Sequence, residues 1–145
     1  MTIATTYAKI VDLVEATSGI KTAPDALLGS IPPTDLPLAL TLAGPATWNE
    51  QAVGLYRQVR TYTVNVYVQP VGEGIVPDEG YKACLTPLYN VGRTFVQNPT
   101  LDNTVDQIGV GGRAAFSDSG VRVLTYAGQD YHGFTVTLQV TEKAT

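Results

Sequence analysis

The hydrophobic pattern of the chain centres on one uninterrupted run, Leu55 to Gln69, which contains no Gly or Pro. The run is rich in Val, Tyr and Thr, residues that suit a pleated surface. In its second half Tyr62, Val64, Val66 and Val68 share one face, and Thr61, Thr63, Asn65 and Gln69 take the other. That alternation describes a half-buried strand. At roughly 3.3 Å per residue the run could reach ~45–50 Å, whereas a domain of this size is about 30–35 Å across. In the first half Leu55 and Val59 lie on the opposite face, and Tyr56, Gln58 and Arg60 interrupt the apolar row. Either a bulge near Arg60 switches the faces or this half has left the core. The excess length favours the second alternative.

The flanking patterns supply the other elements. Ile3, Tyr7, Ile10, Val11 and Val14 recur at helical spacing, which predicts a helix over 5–17 with Thr5 or Thr6 as its cap and Ser18-Gly19 as its stop. A connector with Pro24, Pro32 and Pro33 follows, a surface crossover or an interaction arm. Leu36, Leu38, Leu40 and Leu42 alternate with Pro37, Ala39, Thr41 and Ala43, a strand that Gly44-Pro45 should end. Trp48 then falls in a loop, either folded back on the core or placed against a partner. Tyr81, Cys84, Leu88, Val91 and Phe95 form the apolar stripe of a second helix over 78–97, with Pro87 predicting a kink or a fresh start capped by Thr86. The last third reads as β: 105–110, a turn at 116–120, then 121–126 and 131–141 as an antiparallel hairpin.

This order predicts an α+β fold: an antiparallel-rich sheet with two helices packed on it and a long protruding β-hairpin. The core is expected where Tyr62–Val68 meets Leu36–Leu42 and Phe134–Val140. The 145 residues suggest one domain, 1–145, long enough to bury a core without staples.

Composition narrows the function classes. A net charge of −4 argues against a surface that grips nucleic-acid phosphates, though DNA could pass nearby without being bound. The single cysteine, Cys84, allows neither an internal disulfide nor a thiolate metal cluster and suits a reducing cytosol. The first residues lack the basic and apolar regions of a signal peptide, and no apolar run approaches ~18 residues, so no membrane contact is expected.

Candidate chemistry is sparse. His132, the one histidine, lies on the apolar row of the final strand and reads as a packed or hydrogen-bonded structural residue. Cys84 reads as a small core side chain. Gly109-Val-Gly-Gly-Arg113 lacks the spacing and the Lys-Ser/Thr ending of a phosphate loop. Asp102, Asp106, Asp118 and Asp130 are scattered through turns, where Asp bonds locally to backbone. These features select no catalytic, cofactor-binding or metal residue. The assembly-bearing positions are instead the first half of the long strand and its neighbouring loops: Trp48, Leu55, Tyr56, Arg57, Arg60, Ile75 and Val76 form the expected subunit or partner interface.

The ordered layout resembles the tail terminator, or tail completion, proteins of long-tailed, siphovirus-like bacteriophages. It is carried by the N-terminal helix, the Pro-containing connector, Leu36–Ala43, Tyr56–Gln69, the helix ending Phe95-Val-Gln-Asn-Pro-Thr-Leu101, and the hairpin Tyr126-Ala-Gly-Gln-Asp-Tyr-His-Gly-Phe134 leading to Thr135–Val140. The resemblance implies a structural, non-enzymatic virion protein without cofactors, made in the host cytoplasm and placed in the tail or neck. It implies a homo-oligomeric, hexameric ring at the head-proximal end of the tail tube, which stops tube polymerisation. Its implied partners are the tail tube protein and the head-completion or stopper protein of the connector, with DNA passing through the lumen. Two alternatives stand beside it: another neck or tail-tube structural protein, and a small-molecule-binding domain using His132 with Tyr131 or Asp130.

Overall fold

The computed structural model describes residues 3–52, 55–72, 77–101, 105, 107–110, 113–114 and 116–144. Side chains are described for these except at 51–52, 55–56, 77–78, 107, 109–110, 113–114 and 143–144. The elements are α1 (Ile3–Glu15), β1 (Leu38–Ala52), β2 (Leu55–Pro70), α2 (Pro77–Gln97), β3 (Gln107–Val110), β4 (Arg113–Ala114), β5 (Phe116–Asp118), β6 (Arg122–Tyr126) and β7 (Gln129–Ala144). A short 3-10 turn, Pro33–Asp35, interrupts the connector. The fold is α+β with an antiparallel sheet, as the pattern predicts.

β2 is the organising strand. It pairs with β1 along one side and with β7 along the other, from Tyr56↔Ala144 to Pro70↔Tyr131. The far side of β7 is covered in segments: β6 at 129–133, β5 at 136–138 and β3 at 140–141, while β4 pairs with β3. β1 therefore forms one edge of the sheet and the short strands form the other. β6 and β7 join through Ala127 and Gly128, both at positive φ, the geometry of a tight hairpin turn.

Both faces of the sheet are covered. On the helix face Tyr62, Val64 and Val66 of β2 lie beside Leu138, Val136 and Phe134 of β7, all fully buried against Ile10 and Val14 of α1 and Cys84, Val91 and Phe95 of α2. Full burial of each such apolar side chain contributes about 1.5–3 kcal/mol. On the other face Leu38, Leu40, Tyr67, Leu124 and Tyr131 form a second cluster, closed by Ile31, Leu28 and Leu36 of the connector. Tyr67 packs edge-on and tilted against Tyr131 and Tyr126, each with ring centroids 5.5 Å away. The Tyr126 hydroxyl clasps Leu28, accepting from its amide at 3.0 Å and donating to its carbonyl.

Several expectations are corrected here. The leucine row of β1 does not share the core of Val64 and Val66; the register Ala39↔Val66 and Thr41↔Val64 turns Ala39 and Thr41 toward the helices and Leu38 and Leu40 away. Small residues on that row let α1 approach the sheet closely, and the connector is the lid of the leucine side. Gly44-Pro45 does not end β1 but forms an irregularity between Ala43 and Ala46, after which pairing resumes to Ala52. Pro45 is tolerated because β1 is an edge strand, where a missing N–H breaks no ladder on its free side. Thr5 and Thr6 lie inside α1 rather than capping it. α2 runs through Pro87 without a break, and Pro87 is buried beside the Gly19 turn. Residues 116–118 form β5 rather than a turn.

Candidate assembly surface

Beyond Tyr62, β1, β2 and β7 continue as a three-stranded ribbon: Trp48 opposes Gln58, and Gln58 opposes Glu142. The β2–β7 register is unbroken from Tyr56 to Tyr67, so no bulge near Arg60 switches the faces. The row that carries Tyr62 simply turns polar, through Arg60 to Gln58. The ribbon leaves the apolar core without leaving the interior: Glu142 is 1% exposed and Gln58 is 4% exposed.

A polar network accounts for that burial. Glu142 Oε1 accepts a hydrogen bond from the Tyr62 hydroxyl at 3.1 Å, and Glu142 Oε2 accepts one from Gln58 Nε2 at 3.1 Å. Arg60 Nη2 donates to Gln58 Oε1 at 3.0 Å, and Arg60 Nη1 donates to the Gly44 carbonyl at 2.8 Å. That carbonyl belongs to the irregular stretch of β1, so Arg60 fastens the edge strand at the point where its ladder is interrupted. Tyr62 is also hydrogen-bonded to Thr6 of α1. Burial, and then the neighbouring Glu142 charge, push the Tyr62 hydroxyl pKa up. A buried carboxyl group needs partners that replace its hydration, and here the Tyr62 hydroxyl and Gln58 Nε2 each donate to one of its oxygens.

The expected interface residues divide sharply. Trp48 is neither folded onto the core nor in a loop; it sits on β1 with 52% of its surface exposed. Arg60, by contrast, is half-buried and engaged by the ribbon itself, which removes it from the residues available to a neighbour. Arg57 lies on the opposite face of β2 and is half-buried. Leu55 and Tyr56 are placed in β2, but their side chains lie outside the described residues, as do Ile75 and Val76 entirely. Asp102, Asp106, Gly111 and Gly112 also lie outside them.

The hairpin polar groups do not converge. His132 faces the helices, and its ring lies against Gly80 of α2, where any Cβ would overlap it. Tyr131 points to the opposite face, into the connector cluster. The Asp130 carboxylate accepts from the Thr125 hydroxyl at 2.6 Å. Cys84 is fully buried, its thiol donating to the Gly80 carbonyl at 3.3 Å, and burial pushes its pKa up to about 11. Among the described residues no three His, Cys, Asp or Glu side chains gather to hold a metal.

One surface was missed in the sequence. Tyr81 does not join the buried stripe of α2; it begins a second stripe with Leu85, Tyr89 and Val96, between 43% and 68% exposed. Their spacing of four, four and seven residues marks one helix face, and the signal is present in the sequence beside the buried stripe. Leu85, Tyr89 and Val96 line an open groove of about 510 Å³ against Phe116 and Asp118 of β5, with Arg93 at its side. No family model matches the chain, and no curated protein matches it.

Proposed function

We propose that the chain is a structural virion protein of a long-tailed bacteriophage, forming a hexameric ring at the head-proximal end of the tail tube. The ring stops tube polymerisation and joins the tail to the stopper protein of the head connector, and DNA passes through its lumen. The observation that carries this reading is the ribbon formed by β1, β2 and the end of β7, which carries the sheet past its apolar core and presents an exposed Trp48. A ring subunit needs two different surfaces that meet in its neighbour, and a ribbon at one edge of the sheet supplies one of them. The layout of helix, connector, long hairpin, helix and closing hairpin supports placement among tail terminators.

The long outer edge of β1 favours one second reading. Among the described residues only Thr22 bridges it, at Leu38, and an open edge also suits a tube subunit that polymerises indefinitely. Adding the purified protein to polymerising tail-tube subunits separates the two. A terminator shortens the tubes and is found at their ends; a tube subunit is incorporated along their length. Tubes unchanged in length and free of the protein would exclude both.

A further inference from the structure

The groove on α2 and the exposed tryptophan on β1 lie at opposite ends of the molecule's strand order. β1 is the last strand on one side; β5, which forms one wall of the groove, flanks β7 on the other. Both open toward the helix-bearing face: Trp48 pairs with Gln58, which shares the inward row of Tyr62, and the groove is built on α2 itself. An apolar projection on one edge and an apolar groove on the other cannot meet within one chain. They meet when a second copy is placed beside the first, head to tail.

We infer that the α2–β5 groove receives the Trp48-bearing edge of β1 from a second copy of this chain. The groove volume falls within the ~300–1,000 Å³ of small-molecule clefts, so it has room for an indole side chain. Charge supports the same occupant. Glu50 lies on the same ribbon face as Trp48, two residues along and exposed, while Arg93 stands exposed beside the groove. Seating Trp48 between Leu85, Tyr89 and Val96 brings the acidic residue toward the basic one. The contact is heterologous, so each subunit gives one surface and receives on the other, and a chain of such contacts closes only as a ring. The inference rests on the self-association contained in the proposed function, not on the tail.

The test uses two exposed substitutions in the full chain, Trp48→Ala and Tyr89→Glu. Sedimentation velocity should show the unsubstituted protein associating with concentration, with a blue shift of emission from its one tryptophan. Each variant alone should be monomeric, its association weakened roughly thirtyfold or more, as for a central aromatic anchor. An equal mixture of the two should form dimers and nothing larger, because one intact contact remains. A chain that stays monomeric with unshifted emission up to millimolar concentration, a variant that assembles like the parent, or a mixture that stays monomeric each overturns the inference. Should a variant fail to fold, Glu50→Arg and Arg93→Glu serve instead: each alone should weaken association roughly tenfold, and both in one chain should restore it. Rings of Trp48→Ala that still cap tubes would sink this contact and leave the tail function standing. Normal association without capping would do the reverse.

Discussion

Replacing Glu142 by Ala tests the reading of the ribbon base most sharply. The substitution removes an acceptor that is 1% exposed and takes from the Tyr62 hydroxyl and from Gln58 Nε2 the carboxylate oxygens that stood 3.1 Å away. Each buried donor left unsatisfied costs about 1–3 kcal/mol, so the gross loss is about 2–6 kcal/mol. Removing a desolvated charge offsets part of it, which places the net destabilisation near ~3 kcal/mol. For a chain of 145 residues that lowers the thermal midpoint by roughly 6–12 °C. Circular dichroism melts and urea titrations read it directly. Glu142→Gln keeps the shape and one acceptor and should lose about 1 kcal/mol. A double-mutant cycle with Tyr62→Phe should give a coupling of about 0.5 kcal/mol or more, because the two substitutions remove the same bond. A Glu142→Ala protein within about 0.5 kcal/mol of the parent would mean that the network does not hold the ribbon to the core.

Further outcomes follow from other positions. Gly133→Ala places a methyl group onto the Val66 carbonyl oxygen, a backbone atom in the neighbouring strand, and should cost about 3 kcal/mol or more in chemical denaturation; a neutral result would mean that β2 and β7 are further apart there. Trp48→Ala, at a site 52% exposed, should leave monomer stability within about 0.5 kcal/mol of the parent, and a large loss by thermal melting would mean that Trp48 belongs to the fold rather than to a contact. Burial keeps the Cys84 thiol protonated, its pKa raised from 9.0 to about 11, so the folded chain retains a proton that the unfolded chain releases. Its contribution is complete below pH 9 and is lost as pH rises through about 11, with a slope of up to ~1.4 kcal/mol per pH unit. The raised Tyr62 pKa acts in the same direction above its ordinary value of 10.0. Stability measured against pH should therefore fall less steeply between 9 and 11 in Cys84→Ala; parallel curves would contradict the assignment.

Much of this architecture is legible in the pattern of the chain. The alternation of Val64, Val66 and Val68 and of Phe134, Val136 and Leu138 identifies two core strands, and both helices announce themselves by period. What period alone does not carry is which covered face a row meets. Leu38 and Leu40 signalled burial correctly, Leu42 did not, and the face they occupy depended on the connector folding beneath them. Gly44-Pro45 reads as a stop by local propensity, yet the paired strands on either side carry the ladder across it. Arg60 reads as a surface charge because its partners, Gln58 and the Gly44 carbonyl, are brought to it only by pairing. On α2 the two apolar stripes overlap in sequence, and placing Tyr81 with the buried one hid the exposed face. Trp48, read from the sequence as a loop residue either folded on the core or placed against a partner, stands exposed on β1, because the strand continues through Gly44-Pro45.

The central proposal is assembly at the end of a tail tube, and electron microscopy of phage tails assembled with and without the protein tests it most directly. The account predicts a six-fold ring of the protein at the head-proximal end of each tail, and tubes of uncontrolled length when the protein is withheld. Tails of normal length without the protein, or the protein distributed along the tube or absent from the particle, would contradict it.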